Sequence, residues 1–513
     1  MPDPSDHRPG TVAVTHPEEE TQMASTGTYA VDRMLIDGEL VPAGTGRTFD
    51  NVNPATEEVI GSVPDADATD VERAIGAARR AFDTTDWSTD VALRRRCLIQ
   101  LRDALRAEVE TLRGQVIAET GSPVMLTQGI QLEAPIGFFD HYIDMLETYE
   151  FERAVPTKDL MGTRVDRVIR REAAGVVAAI TPWNYPFYLN ICKIAGALAA
   201  GCTVVLKPAP DTPWSALALG AIAAEHTDIP AGVFNVVTTS DNSVAEILAT
   251  HPDVDHVTLT GSTATGRKVM AAAAATVKRV TLELGGKSAA ILLEDADFQA
   301  IIPMLAGGVC AHAGQGCAQL TRLLVPRARY EEAIAIAAGV MPYIPWGDPT
   351  DPGTVMGPVV NARQRDSIMR YIQSAKDAGG RIAYGGEPLD RDKGYFVPPT
   401  LIADVDPKST VAQEEIFGPV LVVLPYDDEE DAIRIADNTI FGLSGAVYSA
   451  DADRAMRVAR RLRTGTVGVN GAQWFDVQSP FGGYKQSGLG REWGAEGLED
   501  FLEVKTIAFP AVD

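Results

Sequence analysis

The sequence predicts an α/β protein built around a doubly wound parallel sheet. Short apolar, β-branched segments alternate with helical segments over roughly residues 174–283, and a second alternation of this kind runs from about 288 to 478. Strands that are apolar along their whole length are typical of parallel sheets covered by helices on both faces. With 45% hydrophobic and 22% charged residues, the 513-residue chain has enough apolar surface to bury such cores.

The region before residue 174 predicts a tail, a strand and two helices. Residues 1–28 are rich in Pro, Glu, Thr and Ser and are expected to be a disordered tail. Order is expected to begin near Tyr29, where AVDRMLIDGEL is typical of a strand and a turn. Residues 69–72 form a capping-box pattern for a helix. A longer helix is predicted from about 92 to 119, ending at Gly121.

Between residues 174 and 284 predicted strands and helices alternate. The strands are GVVAAIT, CTVVLK, VFNVVT, HVTLT and RVTLEL. The helices between them are residues 188–200, SALALGAIAAEH, SVAEILATH and TATGRKVMAAAA. This alternation is the pattern of a doubly wound unit.

Composition excludes several classes of protein. The net charge of −25 repels phosphate backbones and anionic lipid heads, which argues against nucleic acid and membrane surfaces as partners. The five cysteines contain no Cys-x-x-Cys pair and form no disulfide framework. Neither a signal peptide nor an apolar run of about 18 residues is found. We therefore predict a cytoplasmic protein without a metal site, in which an important cysteine is reactive rather than structural.

Two nucleotide-binding motifs are incomplete. Residues 285–288 (GGKS) end like a P-loop, but Thr281 stands where that loop requires a glycine, so a nucleoside triphosphatase is excluded. Residues 488–493 (GLGREW) lack the last glycine of the dinucleotide fingerprint G-x-G-x-x-G.

Residues 261–266 (GSTATG) lie between the strand HVTLT and an Ala-rich helix. The N-terminus of a helix offers free N–H groups and a positive dipole end to a phosphate. Gly261 and Gly266 permit close approach, and the Ser262 hydroxyl can add a hydrogen bond. An ordinary helix cap explains the hexapeptide equally well.

Cys317 and Glu283 are the candidate reactive side chains. Cys317 lies in GQGCAQ, where the adjacent Gly316 leaves room for a molecule to approach the sulfur. The other four cysteines are interpreted as small buried hydrophobes. Glu283 interrupts an apolar strand just before two glycines, where a parallel strand ends at a cleft. A carboxylate there can act as a general base, the alternative being a solvated strand end.

Two further polar residues follow predicted strands. In TPWNYPF (181–187), prolines and aromatics hold a rigid loop from which the Asn184 amide can donate to an oxyanion. Lys207 ends the strand CTVVLK and can reach a cofactor hydroxyl. With Cys317 and Glu283, they supply a nucleophile, a base, an oxyanion donor and a dinucleotide site.

Together with NPAT (53–56), ELGGK (283–287), EEIFGP (414–419) and PFGG (480–483), these motifs resemble those of the NAD(P)-dependent aldehyde dehydrogenases of the hydrolytic type, in the same order over about residues 34–506. The resemblance implies a Rossmann-like nucleotide-binding domain (29–154 and 174–284) and an α/β catalytic domain (285–485). It also implies a β-flap oligomerisation segment (155–173 and 486–513) that pairs subunits into a homodimer or homotetramer.

The resemblance also assigns roles. Cys317 is the nucleophile that attacks the aldehyde carbonyl, and Asn184 with the Cys317 backbone N–H forms the oxyanion hole. Hydride passes to the nicotinamide, and Glu283, with Lys193 nearby, activates the water that hydrolyses the thioester. The predicted cofactor contacts are Thr181, Pro182, Trp183, Lys207, Gly261, Ser262, Gly266, Leu284, Glu415 and Phe417.

The sequence departs from the family pattern at one cofactor position. Many NAD-preferring members carry a glutamate three residues after the lysine equivalent to Lys207, where it binds the adenine-ribose hydroxyls. Here that residue is Pro210, which cannot bind them. We predict NAD as the cofactor, with NADP as the alternative.

The family match also outlines a substrate tunnel. Its predicted lining is Tyr185, Leu189, Cys192, Gln473, Trp474, Phe475 and Phe481. Such walls favour a hydrophobic aldehyde, whether aromatic, terpenoid or medium-chain, because each buried CH₂ contributes about 0.8 kcal/mol. The set contains no Arg or Lys to bind the carboxylate of a semialdehyde acid. Betaine aldehyde remains an alternative through a cation–π contact with Trp474. The aromatics could instead only pack a domain interface.

Two rival functions differ in chemistry. Relatives that transfer the acyl group to coenzyme A typically lack the base, so Glu283 favours hydrolysis. A non-catalytic structural relative would not need Cys317, Glu283 and Asn184 together.

Overall fold

A computed structural model of the protein describes residues 32–389 and 391–511. The predicted tail (1–28) and Tyr29 lie outside the described residues. The first half of the described chain contains β1 (Met34–Ile36), β2 (Glu39–Val41), β3 (Thr48–Val52), β4 (Val59–Pro64), α1 (Ala68–Thr84), α2 (Val91–Ala107), α3 (Val109–Thr120), α4 (Val124–Thr127), α5 (Glu133–Thr148), β5 (Glu152–Leu160), β6 (Thr163–Ala173), β7 (Val176–Ile180), α6 (Pro186–Ala200), β8 (Thr203–Lys207), α7 (Trp214–His226), β9 (Phe234–Val236), α8 (Asn242–Thr250), β10 (His256–Thr260), α9 (Thr263–Ala273) and β11 (Arg279–Glu283).

The predicted doubly wound unit is present. Eight strands form one sheet in the order β11-β10-β7-β8-β9-β1-β2, with one further short strand beyond β11. The five strands from β11 to β9 are parallel, whereas β1 and β2 extend the sheet in antiparallel fashion. The chain winds outward from β7 in both directions, so the carboxyl ends of the parallel strands share one edge. A crevice at this edge is where ligands bind in open α/β sheets.

The second half contains β12 (Ala289–Leu292), α10 (Phe298–Cys310), β13 (Arg322–Pro326), α11 (Tyr330–Val340), α12 (Ala362–Asp377), β14 (Arg381–Tyr384), β15 (Thr400–Ala403), α13 (Thr410–Gln413), β16 (Val420–Tyr426), α14 (Glu429–Asp437), β17 (Gly445–Tyr448), α15 (Ala452–Ala459), β18 (Gly468–Val469), β19 (Gly488–Leu489), α16 (Gly494–Glu499) and β20 (Leu502–Pro510). A seven-stranded sheet has the order β14-β15-β16-β13-β12-β17-β18 and is parallel except at β14. Its apolar core is separate from that of the first sheet.

A third sheet projects as a flap. Strands β20, β6 and β5 pair antiparallel in that order. The short strand β19, which precedes β20 in the chain, is not part of this flap. It pairs with β11 at the edge of the first sheet. The domain boundaries given above stay a prediction.

Two predicted helix features are wrong. The N-cap of α1 is Asp67, whose side chain accepts from the Asp70 backbone N–H at 3.1 Å, so residues 69–72 lie inside the helix. The capping box is formed instead by Asp67 and Asp70, which have the same three-residue spacing two positions before the predicted pair. The predicted helix over 92–119 is two helices separated by Glu108, whose backbone leaves helical geometry. The apolar periodicity continues through this bend, so it does not mark the break. The predicted end at Gly121 is confirmed, with φ of 66°.

Candidate active site

The strand register places four predicted site residues at one edge of the first sheet: Asn184, Lys207, Ser262 and Glu283. Ile180 pairs with Lys207 and Thr260 pairs with Glu283, so the loops after β7, β8, β10 and β11 leave the first sheet at one edge. The Cys317 loop and the segment after α13 come from the second half of the chain and face this edge. The fold thereby brings together residues that lie far apart in sequence.

A cavity of about 280 Å³ opens between these segments. Nine of the predicted catalytic and cofactor residues line it: Pro182, Trp183, Asn184, Gly261, Ser262, Leu284, Cys317, Glu415 and Phe417. The other lining residues, which the sequence analysis missed, are Thr260, Gly285, Gln364, Ser367, Tyr371 and Ile416. Three of these six belong to α12, which carried no motif.

Three predicted cofactor residues lie behind this wall. The Thr181 hydroxyl donates to Asn190 Oδ1 at 2.7 Å. The Lys207 ammonium donates to its neighbour's carbonyl, Pro208 O, at 2.6 Å, and burial lowers its pKa to about 8. Gly266 allows α9 to pack on β11, because a Cβ there would lie 2.6 Å from the Leu284 side chain.

The GSTATG segment is a helix cap that faces the cavity. Ser262 is the N-cap of α9, and its hydroxyl accepts from Thr265 N at 3.2 Å. A Cβ at Gly261 would have no protein atom closer than 3.7 Å, so this glycine keeps space on the cavity side rather than relieving packing. The N-terminus of a helix beside a polar cavity can hold a phosphate.

Cys317 differs from the other cysteines in exposure. It is partly exposed on the cavity wall, whereas the other four are buried. Its loop is tightly placed, since a Cβ at Gly286 would lie 2.2 Å from Cys317 O. Burial, and then the charges of Glu415 and Glu283, raise the pKa of the thiol to about 12. Its conversion to the reactive thiolate therefore requires a proton acceptor or a neighbouring positive charge.

Asn184 lies against the cysteine loop. Its side-chain Nδ2 donates to Gln315 O, two residues before Cys317, at 2.9 Å. An amide nitrogen carries two hydrogens, so a second N–H is left for a ligand. This contact aims the amide toward the segment that carries the thiol.

Glu283 is not a solvated strand end. Its side chain is 2% exposed, and neither of its carboxylate oxygens has a hydrogen-bond partner among the described residues. Beside it, Lys193 and Glu492 form a buried ion pair at 2.5 Å. Burial raises the pKa of Glu283 well above its ordinary value, the charge of Glu492 raises it further, and Lys193 opposes both. A carboxyl with such a raised pKa is suited to proton transfer near neutral pH.

Glu492 is a residue that sequence reasoning missed. It stands in GLGREW, the incomplete fingerprint, and returns to the site through a β-bridge with Phe481. The adjacent Trp493 donates from Nε1 to the Cys192 sulfur at 3.3 Å. The signal for Glu492 in the sequence was its position between the two glycines of this motif and Trp493, which is buried.

Two glycines after β11 hold the Glu415 carboxylate at the cavity. Its Oε1 accepts from Gly286 N at 2.9 Å, and burial raises its pKa to about 7. A Cβ at Gly285 would lie 2.2 Å from its other oxygen, so this glycine makes room for the carboxylate. Trp183 and Phe417 meet edge to face with ring centroids 5.3 Å apart. A carboxylate, aromatic rings and a helix N-terminus on one wall match the chemistry of a dinucleotide.

The predicted substrate residues fall into two groups. Trp474 stacks on Phe481 at 5.4 Å, and both belong with Phe475 to a ring cluster that also includes Phe138, Tyr188 and Trp493. Tyr185 joins this cluster through Tyr188 at 6.2 Å. Leu189 and Cys192 are buried behind the rings, whereas Gln473 is exposed. Substrate contact by either group stays a prediction.

Other features of the described residues bear on partners. Within 32–389 and 391–511, no helix is long and apolar enough to cross a membrane. The same residues contain no group of three or more side chains arranged to hold a metal ion.

Comparisons with known proteins point to one family. A model of the aldehyde dehydrogenase family matches residues 41–507. Geranial dehydrogenase of Castellaniella defragrans is 41% identical over 92% of this chain and 98% of its own length. The 3-succinoylsemialdehyde-pyridine dehydrogenase of a Pseudomonas species is 42% identical over 92% and 97%. The crystal structure of a variant of aldehyde dehydrogenase C from Pseudomonas syringae, with NAD⁺ and octanal, superposes with a TM-score of 0.87 at 38% identity, covering 93% of this chain and 96% of that one.

Proposed function

The chain belongs to the aldehyde dehydrogenase family of oxidoreductases, and from this premise we propose that it oxidises a hydrophobic aldehyde to its carboxylic acid with NAD and water. The observation that supports this best is the placement of Cys317, Asn184 and Glu415 around one cavity, with Glu283 buried nearby. The overall reaction consumes one aldehyde, one NAD⁺ and one water. It yields one acid, one NADH and one proton.

The first half of the reaction acylates the enzyme. The Cys317 thiol loses its proton to solvent, which is the proton that the overall reaction releases, and its sulfur attacks the aldehyde carbon. The Asn184 amide with the Cys317 backbone N–H stabilises the oxygen that becomes negative. When bound, NAD supplies the acceptor for the hydride that leaves this tetrahedral adduct. The product of this half is a thioester on Cys317.

The second half releases the acid. Glu283 removes a proton from water, which attacks the thioester carbon and displaces the Cys317 sulfur. Lys193 and Glu492 form an ion pair beside Glu283, so Glu283 accepts the proton in polar rather than apolar surroundings. Glu283 is also the reason to favour water over coenzyme A as the acyl acceptor.

The residues on the cavity wall can hold NAD. Ser262 and the N-terminus of α9 would face the diphosphate, and Glu415 the nicotinamide ribose. Lys207 would reach the adenine ribose from the end of β8. Trp183 would lie with Ser262 near the phosphates, and Phe417 would lie beside the nicotinamide.

Asp211 supports a preference for NAD over NADP, since Pro210 has no carboxylate to provide one. It is half-buried, accepts from Asn361 Nδ2 at 2.7 Å, and its charge raises the pKa of Lys207 against the effect of burial. A carboxylate beside the lysine that binds the adenine ribose repels a 2′-phosphate. No sequence motif identified Asp211 or its proximity to Lys207.

Replacing this carboxylate tests the cofactor choice. Asp211→Asn keeps an acceptor for Asn361 and should raise the ratio of kcat/KM for NADP to that for NAD about tenfold. The exposed carboxylate of Asp83 offers a matched control, since Asp83→Asn removes one charge far from the cavity and should leave the ratio unchanged. A wild-type enzyme that prefers NADP would contradict the assignment.

The ring cluster supports a hydrophobic substrate. Trp474, Phe475 and Phe481 supply apolar surface. Lys193 lies on α6 beside the predicted tunnel residue Cys192 and is already paired with Glu492. The relatives named for geranial and crystallised with octanal point to the same class. The pyridine semialdehyde relative is named for an aldehyde that carries an aromatic ring, so it does not argue for a carboxylate-bearing substrate. A semialdehyde acid or betaine aldehyde is the second candidate.

An aldehyde panel decides between these classes. In an assay with NAD and without coenzyme A, kcat/KM for benzaldehyde, geranial and octanal should exceed that for succinic semialdehyde and betaine aldehyde at least about tenfold. The reverse order would place the enzyme with the semialdehyde or betaine aldehyde dehydrogenases. Dependence on added coenzyme A would replace hydrolysis by acyl transfer.

The flap supports assembly into a homodimer or homotetramer. Its two outer strands, β5 and β20, have unpaired edges among the described residues. Val504, Ile507 and Phe509 on β20 are exposed apolar side chains. Open edges and exposed apolar residues together favour pairing with a second copy. Light scattering at micromolar protein should give the mass of two or four chains, and a monomer would contradict the proposal.

A further inference from the structure

The backbone carbonyl of Asn184 receives two side-chain contacts from behind the cavity. Gln131 Nε2 donates to Asn184 O at 3.1 Å, and His312 Nε2 lies 2.6 Å from the same oxygen. Gln131, His312 and Asn184 are all at least nine-tenths buried. A carbonyl oxygen has two lone pairs, so the two contacts use its full accepting capacity.

The contact with His312 requires one tautomer. Two lone pairs facing each other at 2.6 Å would repel, so Nε2 must carry the hydrogen and donate to Asn184 O. Gln131 Nε2 also lies 3.3 Å from His312 Nε2, and in this tautomer that longer approach between two donors is not a hydrogen bond. Burial lowers the pKa of His312 to about 4, so the imidazole is neutral and Nδ1 carries no hydrogen at neutral pH. His312 is therefore a fixed donor rather than an acid or a base.

His312 reaches Asn184 from an unfavourable backbone. His312 and Ala313 have φ of 50° and 52°, and Gly314 follows with φ of 75°. Non-glycine residues rarely adopt this left-handed conformation, and they do so where the surroundings enforce it. Gln315 holds the turn, since its Nε2 donates to His312 O at 3.1 Å and its Oε1 accepts from Val360 N at 2.9 Å.

The same short loop carries both the brace and the nucleophile. His312 donates to the Asn184 carbonyl, and Gln315 O accepts from the Asn184 side chain at 2.9 Å. Cys317 follows two residues later. Asn184 is thus held at both its backbone and its side chain by the segment that positions the sulfur.

We propose that His312, assisted by Gln131, is a positioning residue that sets the Asn184 amide relative to Cys317 for oxyanion stabilisation. His312 does not touch the reacting atoms in this arrangement and acts through Asn184. The inference rests on the proposed function, because only an oxyanion formed at Cys317 gives the placement of this amide a catalytic consequence.

A double-mutant cycle tests the coupling. His312→Leu removes the donor and should lower the rate of the first NADH turnover with octanal about 10- to 100-fold. In an Asn184→Ala background the same change should lower that rate less than about twofold, because no oxyanion amide remains to be positioned. His312→Gln keeps an N–H donor of similar reach and should stay within about threefold of wild type. It also keeps the test available if the leucine variant folds poorly.

Alkylation of Cys317 separates positioning from general damage. Iodoacetamide reacts with the thiolate without forming an oxyanion, so its rate with His312→Leu should stay within about twofold of wild type. His256 is an equally buried imidazole that contacts Thr281 instead. His256→Leu should leave the ratio of aldehyde oxidation to alkylation unchanged.

Each outcome decides a different claim. The positioning role would be overturned if the two single losses multiplied in the double mutant. It would also be overturned if His312→Leu lost aldehyde oxidation and alkylation in parallel. In either case, oxidation of octanal by the wild-type enzyme would still uphold the proposed function. Absence of NADH formation by the wild-type enzyme with every aldehyde would overturn both.

Discussion

Cys317→Ala should reduce aldehyde oxidation at least about 10⁴-fold, because the variant has no atom with which to form the covalent adduct. Binding of NAD should persist, since the remaining residues that line the cavity are unchanged. Because Cys317 is partly exposed, the change should alter the free energy of unfolding by less than about 1 kcal/mol. Steady-state NADH formation, NAD titration and thermal unfolding measure the three quantities.

Cys310 provides the matched control. It lies seven residues before Cys317, is fully buried at the end of α10, and burial raises its pKa to about 12. Cys310→Ala leaves a small void, so it should lower stability while keeping kcat per folded enzyme within about twofold. A Cys317→Ala variant with substantial dehydrogenase activity, or a Cys310→Ala variant without it, would contradict the assignment.

Glu283→Gln should separate the two halves of the reaction. The first turnover should still release about one NADH per active subunit, whereas steady-state turnover should fall about 100-fold or more because no base activates water. Loss of the carboxylate also removes a negative charge that raises the pKa of Cys317, so the thiol should become easier to ionise. Rapid-mixing measurement of NADH formation shows both the burst and the slow phase.

The pH profile gives the same residue a second signature. Only the ionised carboxylate accepts a proton, and its pKa is raised, so hydrolysis in the wild type should fall as pH decreases through that raised value. Glu283→Gln should lose this limb of the profile. Glu119 is another fully buried carboxyl, on α3, and Glu119→Gln should keep both the burst and kcat in the folded fraction. Loss of the burst itself in Glu283→Gln would contradict the assigned role.

The sequence predicted local features well where one physical rule decides them. The alternation of apolar strands and helices over 174–283 has the periodicity of a parallel sheet, and its strands occur at the expected places. The candidate site followed from the same rule, because polar residues at the ends of parallel strands share an edge. Motif resemblance then identified Cys317 and Glu415, which the fold brings to the same cavity.

Features that depend on distant contacts were not predictable. Glu492 lies 299 residues from Lys193 and meets it only after folding. The Glu119 carboxylate caps α7 by accepting from Trp214 N and Ser215 N at 2.8 and 3.0 Å, across the core from its own helix. His312 was not among the candidate site residues, because its left-handed backbone has no sequence signature in a non-glycine residue.

The covalent intermediate is the central claim, and trapping it is the most direct measurement. Glu283→Gln, mixed with octanal and NAD and then digested for mass spectrometry, should carry one octanoyl group, labile to hydroxylamine, on the peptide that contains Cys317. The additional variant Cys317→Ala should remove the adduct. Oxidation of octanal without an acyl group on Cys317, or with the acyl group on Cys310 or another residue, would contradict the account.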